Sequence, residues 1–243
     1  MSMEAPPINR GAQTALRGRK REPVGSGSAR EKTMSLSGDT TARVDKILSV
    51  AANLFLEHGF SATTTDMIQR GAGMSKATVY QCFPNKEAMF AAVIERACQD
   101  LANSLPDIDM SAGPIEASLG ELGRAYLEIV IAPTTLALFR VVVAEAPRFP
   151  QLGRLLYRSG PRRIISLIGE KLSEAAGNGE IDLQSVGHES AANLFCGLVR
   201  AEAQLECLTH PDARPSAAQI DHWVRLAVVT FMRAFGTQDR NVR

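Results

Sequence analysis

Apolar residues recur at helical spacing from Thr41 onward. Val44, Ile47, Leu48, Ala51 and Phe55 fall at i, i+3, i+4, i+7 and i+11, which is one face of a helix. Gly59 stands where a helix C-terminus needs a left-handed residue. Thr63 is placed to cap a second helix, with Asp66 three residues on and Met67 and Ile68 facing inward. Gly71-Ala72-Gly73-Met74 supplies a tight turn, and Ser75 caps a short third helix from Lys76 to Phe83. Pro84-Asn85 stops that helix and starts a fourth, over about 86–105, with Asn85 as its cap.

The helical pattern continues to the C-terminus. Helices are expected over about 115–131 and 134–146, bounded by Pro133 and Pro147. A longer one over 149–176 is broken or kinked near Gly160-Pro161. The last two cover about 186–208 and 216–236. No segment alternates with period two, and Glu180–Leu183 reads as an extended connector. The pattern predicts an all-α protein of nine helices: three in an N-terminal helix-turn-helix unit and six in a C-terminal domain. The boundaries are 1–40 for a tail, 41–88 for the helix-turn-helix and 89–240 for the remainder.

Composition narrows the function classes. With 45% apolar residues, the chain can bury a sizeable core. It lacks an uncharged apolar run of about 18 residues, so no membrane span is expected. The N-terminus lacks a signal-peptide pattern, and a cytoplasmic protein is expected. Residues 1–40 are rich in Gly, Pro, Ser and charge and read as a disordered tail. Its basic cluster, Arg17, Arg19, Lys20 and Arg21, suits phosphates or a minor groove as well as plain solvation.

The net charge of +1 is uneven: residues 1–40 carry +3, 41–88 carry +1 and 89–243 carry −3. The basic bias sits at the end where a nucleic acid would be met. Cys82, Cys98, Cys196 and Cys207 show no metal-ligand spacing, and the four histidines are scattered. Reduced thiols, no metal and no cofactor are expected. No Ser-His-Asp set, paired carboxylates or phosphate loop stands out, so an enzyme is not expected.

A short helix, a glycine turn and a second short helix form a helix-turn-helix, a DNA-reading device. Val79 and Phe83 can anchor the buried face of the third helix. Lys76, Thr78, Tyr80 and Gln81 are then left for DNA, with Ala77 among them. Gln pairs with adenine and Lys with guanine in the major groove. Thr63, Tyr80 and Lys86 suit phosphates, Thr64 is counted among the DNA contacts, and caps at Thr63, Ser75 and Asn85 would aim backbone N–H groups at the phosphates.

The run from Phe60 to Phe90, with Ser75-Lys-Ala-Thr-Val-Tyr80, Phe83 and Lys86-Glu87 as its core, resembles the DNA-binding domain of TetR/AcrR-family regulators. Cys82 and Gln69 depart from the family pattern, where His or Tyr and a small Ala are common. Leu138–Pro150, with Tyr157 and Gly160-Pro161, resembles the AefR-like branch of the family's C-terminal domains. The resemblance implies a homodimer that binds a near-palindromic operator in double-stranded DNA and answers to a small-molecule effector.

It places an effector pocket on the middle helices, near Tyr126, Phe139, Arg140, Val143 and Tyr157. Ordinary core packing explains these residues as well, with Arg140 and Glu145 as an ion pair. It also places a two-fold four-helix interface on the last two helices, at Phe195, Val199, Ala203, Trp223, Leu226 and Thr230. Burial within one chain is the alternative. Two other classes remain: a helical binding protein that has lost its operator, and a helical-bundle enzyme.

Overall fold

The computed structural model describes residues 28–237, with side chains from Thr40 onward. The basic cluster at Arg17–Arg21 lies outside the described residues. The chain divides into two compact units, residues 1–42 and 43–243, and the second holds every element discussed below except the start of the first helix.

Among the described residues there are ten helices. The first four are α1 (Ser28–Ala62), α2 (Thr65–Ala72), α3 (Lys76–Cys82) and α4 (Lys86–Asn103). Then follow α5 (Ile115–Ile131), α6 (Pro133–Glu145), α7 (Pro150–Ser159), α8 (Pro161–Gly177), α9 (His188–Thr209) and α10 (Ala217–Phe235). The long helix expected over 149–176 is divided at Gly160 into α7 and α8; counted as one broken helix, they give the expected nine. The extended Glu180–Leu183 stretch makes a single bridge, Ile181 to Gly236. No single helix is long and apolar enough to cross a membrane.

Local chemistry sets the boundaries. Pro133, Pro150 and Pro161 each open a helix, where a missing N–H costs nothing. The proline also forces the residue before it out of the α region. Ala132 is accordingly extended (ψ 135°), and α5 and α6 bend by 56° there. Ser216 opens α10 with a reciprocal capping box to Gln219.

Two apolar cores result. One joins α5, α8, α9 and α10 around Leu119, Leu122, Ile168, Phe195 and Phe231. The other joins α1–α3 to α4, α6 and α7. At its centre the rings of Phe55, Phe60, Phe90 and Phe149 pack together, with successive centroids 4.7–5.0 Å apart from Phe55 through Phe90 and Phe60 to Phe149. This second core continues past residue 88 through Phe90, Val93, Ile94 and Cys98, and takes in Leu138, Val142 and Leu152. The helix-turn-helix is therefore built on α4, α6 and α7 and shares one core with them.

Candidate nucleic-acid interface

The turn between α2 and α3 is closed by its glycines. Gly73 adopts φ +62°, ψ +38°, its N–H bonds the Arg70 carbonyl, and the Met74 N–H reaches back to Gln69. These paired bonds and the left-handed residue end the helix in the Schellman manner. Gly71 serves a different need: a Cβ there would stand 2.7 Å from Val50 Cγ1 of α1. Only a bare backbone lets α2 cross α1 so closely.

α3 is held from below and capped at its start. Val79 is fully buried and Phe83 nearly so. The Ser75 hydroxyl accepts from the Thr78 N–H at 3.1 Å, and the Ser75 and Thr78 hydroxyls lie 2.8 Å apart. Ser75, Lys76, Ala77, Tyr80 and Gln81 are exposed, and Thr78 is half-buried. Lys76 pairs with Asp66 at 3.5 Å, both well exposed, a contact worth little in water and easily exchanged for a phosphate. Thr64 is exposed and caps α2, accepting from Met67 N–H. Asn85 caps α4 through Ala88 N–H. Cys82, at the end of α3, is half-buried.

Two residues expected at phosphates are occupied elsewhere. Thr63 is fully buried and does not cap α2, a role that falls to Thr64. Its hydroxyl donates to the carbonyls of Gly59 at 2.8 Å and Leu54 at 3.0 Å. The Lys86 ammonium donates to the carbonyls of Phe60 (2.8 Å), Thr63 (2.9 Å) and Ser61 (3.3 Å), and lies over the Phe60 ring. All three of its N–H bonds are spent. The reason is the end of α1: the last carbonyls of a helix have no intrahelical partner, and a cation is favoured there.

The residues expected to form an effector pocket do not converge. Tyr126 is buried in the C-terminal core against Cys196, its hydroxyl held protonated by burial. Val143 and Tyr157 are more than half exposed, and Phe139 is half-buried. Arg140 makes no ion pair with Glu145. Its guanidinium donates to the carbonyls of Cys207 at 2.6 Å and Leu208 at 3.2 Å, closing the end of α9. None of the five lines the cleft between α1, α4 and α6. Among the described residues, His, Cys, Asp and Glu form no cluster of three able to hold a metal ion.

The residues expected at a two-fold interface divide. Phe195, Val199, Ala203 and Trp223 are buried within the chain, packed between α5, α9 and α10. That is the reading in which α9 uses one face for its own core. Leu226 and Thr230 are exposed. With Leu226 stand four residues that periodicity alone did not assign, Leu194, Leu198 and Leu205 on α9 and Val229 on α10, and together they make an apolar stripe in which each is at least 41% exposed.

A contact also missed from sequence ties α6 to the reading head. The Glu145 carboxylate accepts from the Ser61 N–H at 3.0 Å and from its hydroxyl at 2.8 Å. Arg148 reaches the same hydroxyl. Eighty-odd residues separate the partners, so no local pattern announces them.

The arrangement has known relatives. The model of bacterial regulatory proteins of the tetR family matches residues 47–93. The model of the AefR-like transcriptional repressor C-terminal domain matches residues 117–237. Among solved structures, the flavonoid-responsive regulator FrrA is 35% identical, with a TM-score of 0.72 over 82% of this chain and 99% of that one. A TetR-family regulator from Mesorhizobium loti is 25% identical, with a TM-score of 0.75 over 82% of this chain and 98% of that one. An uncharacterised HTH-type transcriptional regulator of Mycobacterium tuberculosis is 28% identical over 148 residues, 60% of this chain and 69% of it. With a 35%-identical relative spanned almost end to end and a family model matching each of its two parts, this chain belongs to the TetR family, as a DNA-binding transcriptional regulator of the helix-turn-helix type.

Proposed function

We propose that this protein is an effector-responsive repressor of the cytoplasm that grips a near-palindromic operator as a homodimer. The observation that carries the reading is α3 itself. One face is buried through Val79, and the opposite face offers Lys76, Ala77, Tyr80 and Gln81 to solvent. A rigid, capped helix with small and polar outward groups is what a major groove admits. Thr64, Ser75 and Thr78 stand at the edges of that face as phosphate partners, replacing Thr63 and Lys86 in that role.

The exposed apolar stripe on α9 and α10 supports the homodimer. Two copies of one patch meeting about a two-fold axis bury it in a self-complementary way. The effector is proposed to be a small hydroxylated aromatic. The support is the 35%-identical relative, described as flavonoid-responsive. No turnover forms part of this reading.

Selection of bound DNA from a random pool by the purified protein tests it. Two related half-sites, centred about one helical turn apart or a multiple of it, are expected to be enriched. Affinity should fall steeply with salt, as counterions are released from the contacted phosphates. Gln81→Ala should relax base preference at one position per half-site by about 1–3 kcal/mol. No enrichment, or binding indifferent to salt, defeats the reading.

A further inference from the structure

The cleft between α1, α4 and α6 has a volume of about 500 Å³. Small-molecule sites typically span about 300–1,000 Å³. Half of its lining residues are apolar, among them Ala52 and Leu56 from α1, Val93, Ala97 and Leu101 from α4, and Leu138 from α6. The two alanines leave a slot between α1 and α4 that larger side chains would close.

The other half of the lining is polar, and one of these groups selects the occupant. Thr135, at the start of α6, lines it and keeps its hydroxyl buried without a hydrogen-bond partner. Buried hydroxyls in folded proteins are nearly always satisfied. A hydroxyl or carbonyl on a ligand would supply what is missing. Arg96 is the one cation among the lining residues, and it already pairs with Asp45 at 3.1 Å. Asp100 adds a negative charge to the rim. With one cation and one carboxylate the lining carries no net charge, and favours a neutral molecule.

The place matters as much as the chemistry. α6 begins at the cleft with Thr134 and Thr135 and ends at Glu145, which holds Ser61 at the end of α1. An occupant wedged between α1, α4 and α6 touches the helices on which the reading head is built. We propose that this cleft binds a flat, neutral, hydroxylated aromatic molecule. The assignment of that molecule as the effector rests on the regulatory reading above; the site itself does not.

The probe is 3-hydroxyflavone, a neutral fluorophore whose emission changes when it leaves water, titrated into the full chain. Saturable uptake of one dye per chain is expected. Ala52→Phe and Ala97→Phe, which fill the slot, should each weaken uptake about tenfold or more. Far-UV circular dichroism and the thermal midpoint verify that each variant is folded. Thr135→Val keeps the shape and removes the hydroxyl. It should weaken 3-hydroxyflavone about fivefold while leaving unaffected 2-phenylnaphthalene, a hydrocarbon of similar shape with neither hydroxyl nor carbonyl.

Absence of saturable uptake by the wild-type chain overturns the proposal. So does undiminished uptake by both filled variants. Operator binding is measured on the same samples. A dye that fills the cleft and leaves operator affinity unchanged supports the site and overturns the effector role alone.

Discussion

At the scale of single residues, the same type of side chain takes opposite roles according to what the backbone nearby lacks. Lys86 stands at the start of α4, where a cation looks placed for phosphate, yet its three N–H bonds go to carbonyls at the end of α1. Lys86→Ala should therefore lower thermal stability. The loss expected for charge-assisted hydrogen bonds is about 1.5–3 kcal/mol. The slope of operator affinity against salt should stay that of the wild type; a slope reduced by about one unit would mean a lost phosphate contact.

The thiols offer a second test. Burial pushes Cys196 up to about 12, and burial with Glu95 nearby pushes Cys98 up to about 11. The Cys207 thiol is raised too, chiefly by burial. At pH 8 fewer than about one in a thousand Cys98 side chains is the reactive thiolate, and fewer still of Cys196. Cys82 is the one cysteine that is not buried. Iodoacetamide should label Cys82 first in the folded protein and the other three only on unfolding. Bound operator should slow the labelling of Cys82, because α3 then lies in the groove. Labelling at an equal rate with and without operator would place the end of α3 outside the groove.

At the scale of elements, helix positions were largely legible in the sequence, while the partners of each face were not. Proline, glycine and capping residues act within a few positions, so Pro133, Ser75, Asn85 and Gly73 mark boundaries directly. Thr63 and Thr64 show the limit of that reading. Both are threonines one step apart, and only the path of α1 decides that the first turns inward to Leu54 and Gly59. α9 shows a larger limit. It is apolar on two faces, with Phe195, Val199 and Ala203 buried and Leu194, Leu198 and Leu205 exposed. Periodicity reports that a face is apolar and not whether its own chain or another covers it. The expected Arg140–Glu145 pair does not form for the same reason: each side chain serves a helix end or loop distant in sequence.

The link from α6 to Ser61 can be tested on its own terms. Glu145→Ala removes the acceptor of the Ser61 N–H, so that amide should exchange faster with solvent by about fivefold, matching about 1 kcal/mol of lost local stability. Amides in the centre of α5 should be unaffected. Uniform acceleration across both would indicate general destabilisation instead of a local latch.

At the scale of the whole molecule, the two faces of α9 and α10 make a contrast that one pair of substitutions resolves. Leu226 is 52% exposed and Phe195 is fully buried, although both were expected at the same interface. In a two-fold assembly each substitution occurs twice, and an arginine at the centre of the patch meets its own copy across the axis. Leu226→Arg should leave helix content and thermal unfolding of the single chain intact while sedimentation shows monomers. Operator affinity should then collapse, because the second reading head no longer arrives already tethered beside the first, and with it goes the gain from its effective concentration. Uptake of 3-hydroxyflavone should persist, since the cleft is formed within one chain. Phe195→Ala should do the reverse in order: a cavity in the core costs about 3–5 kcal/mol and destabilises the C-terminal helices before assembly is affected. A Leu226→Arg protein that still sediments as a dimer and still binds its operator would move the interface off this face altogether. Phe195→Ala should leave the dimer intact below its lowered melting temperature, because the ring it removes touches only its own chain's core.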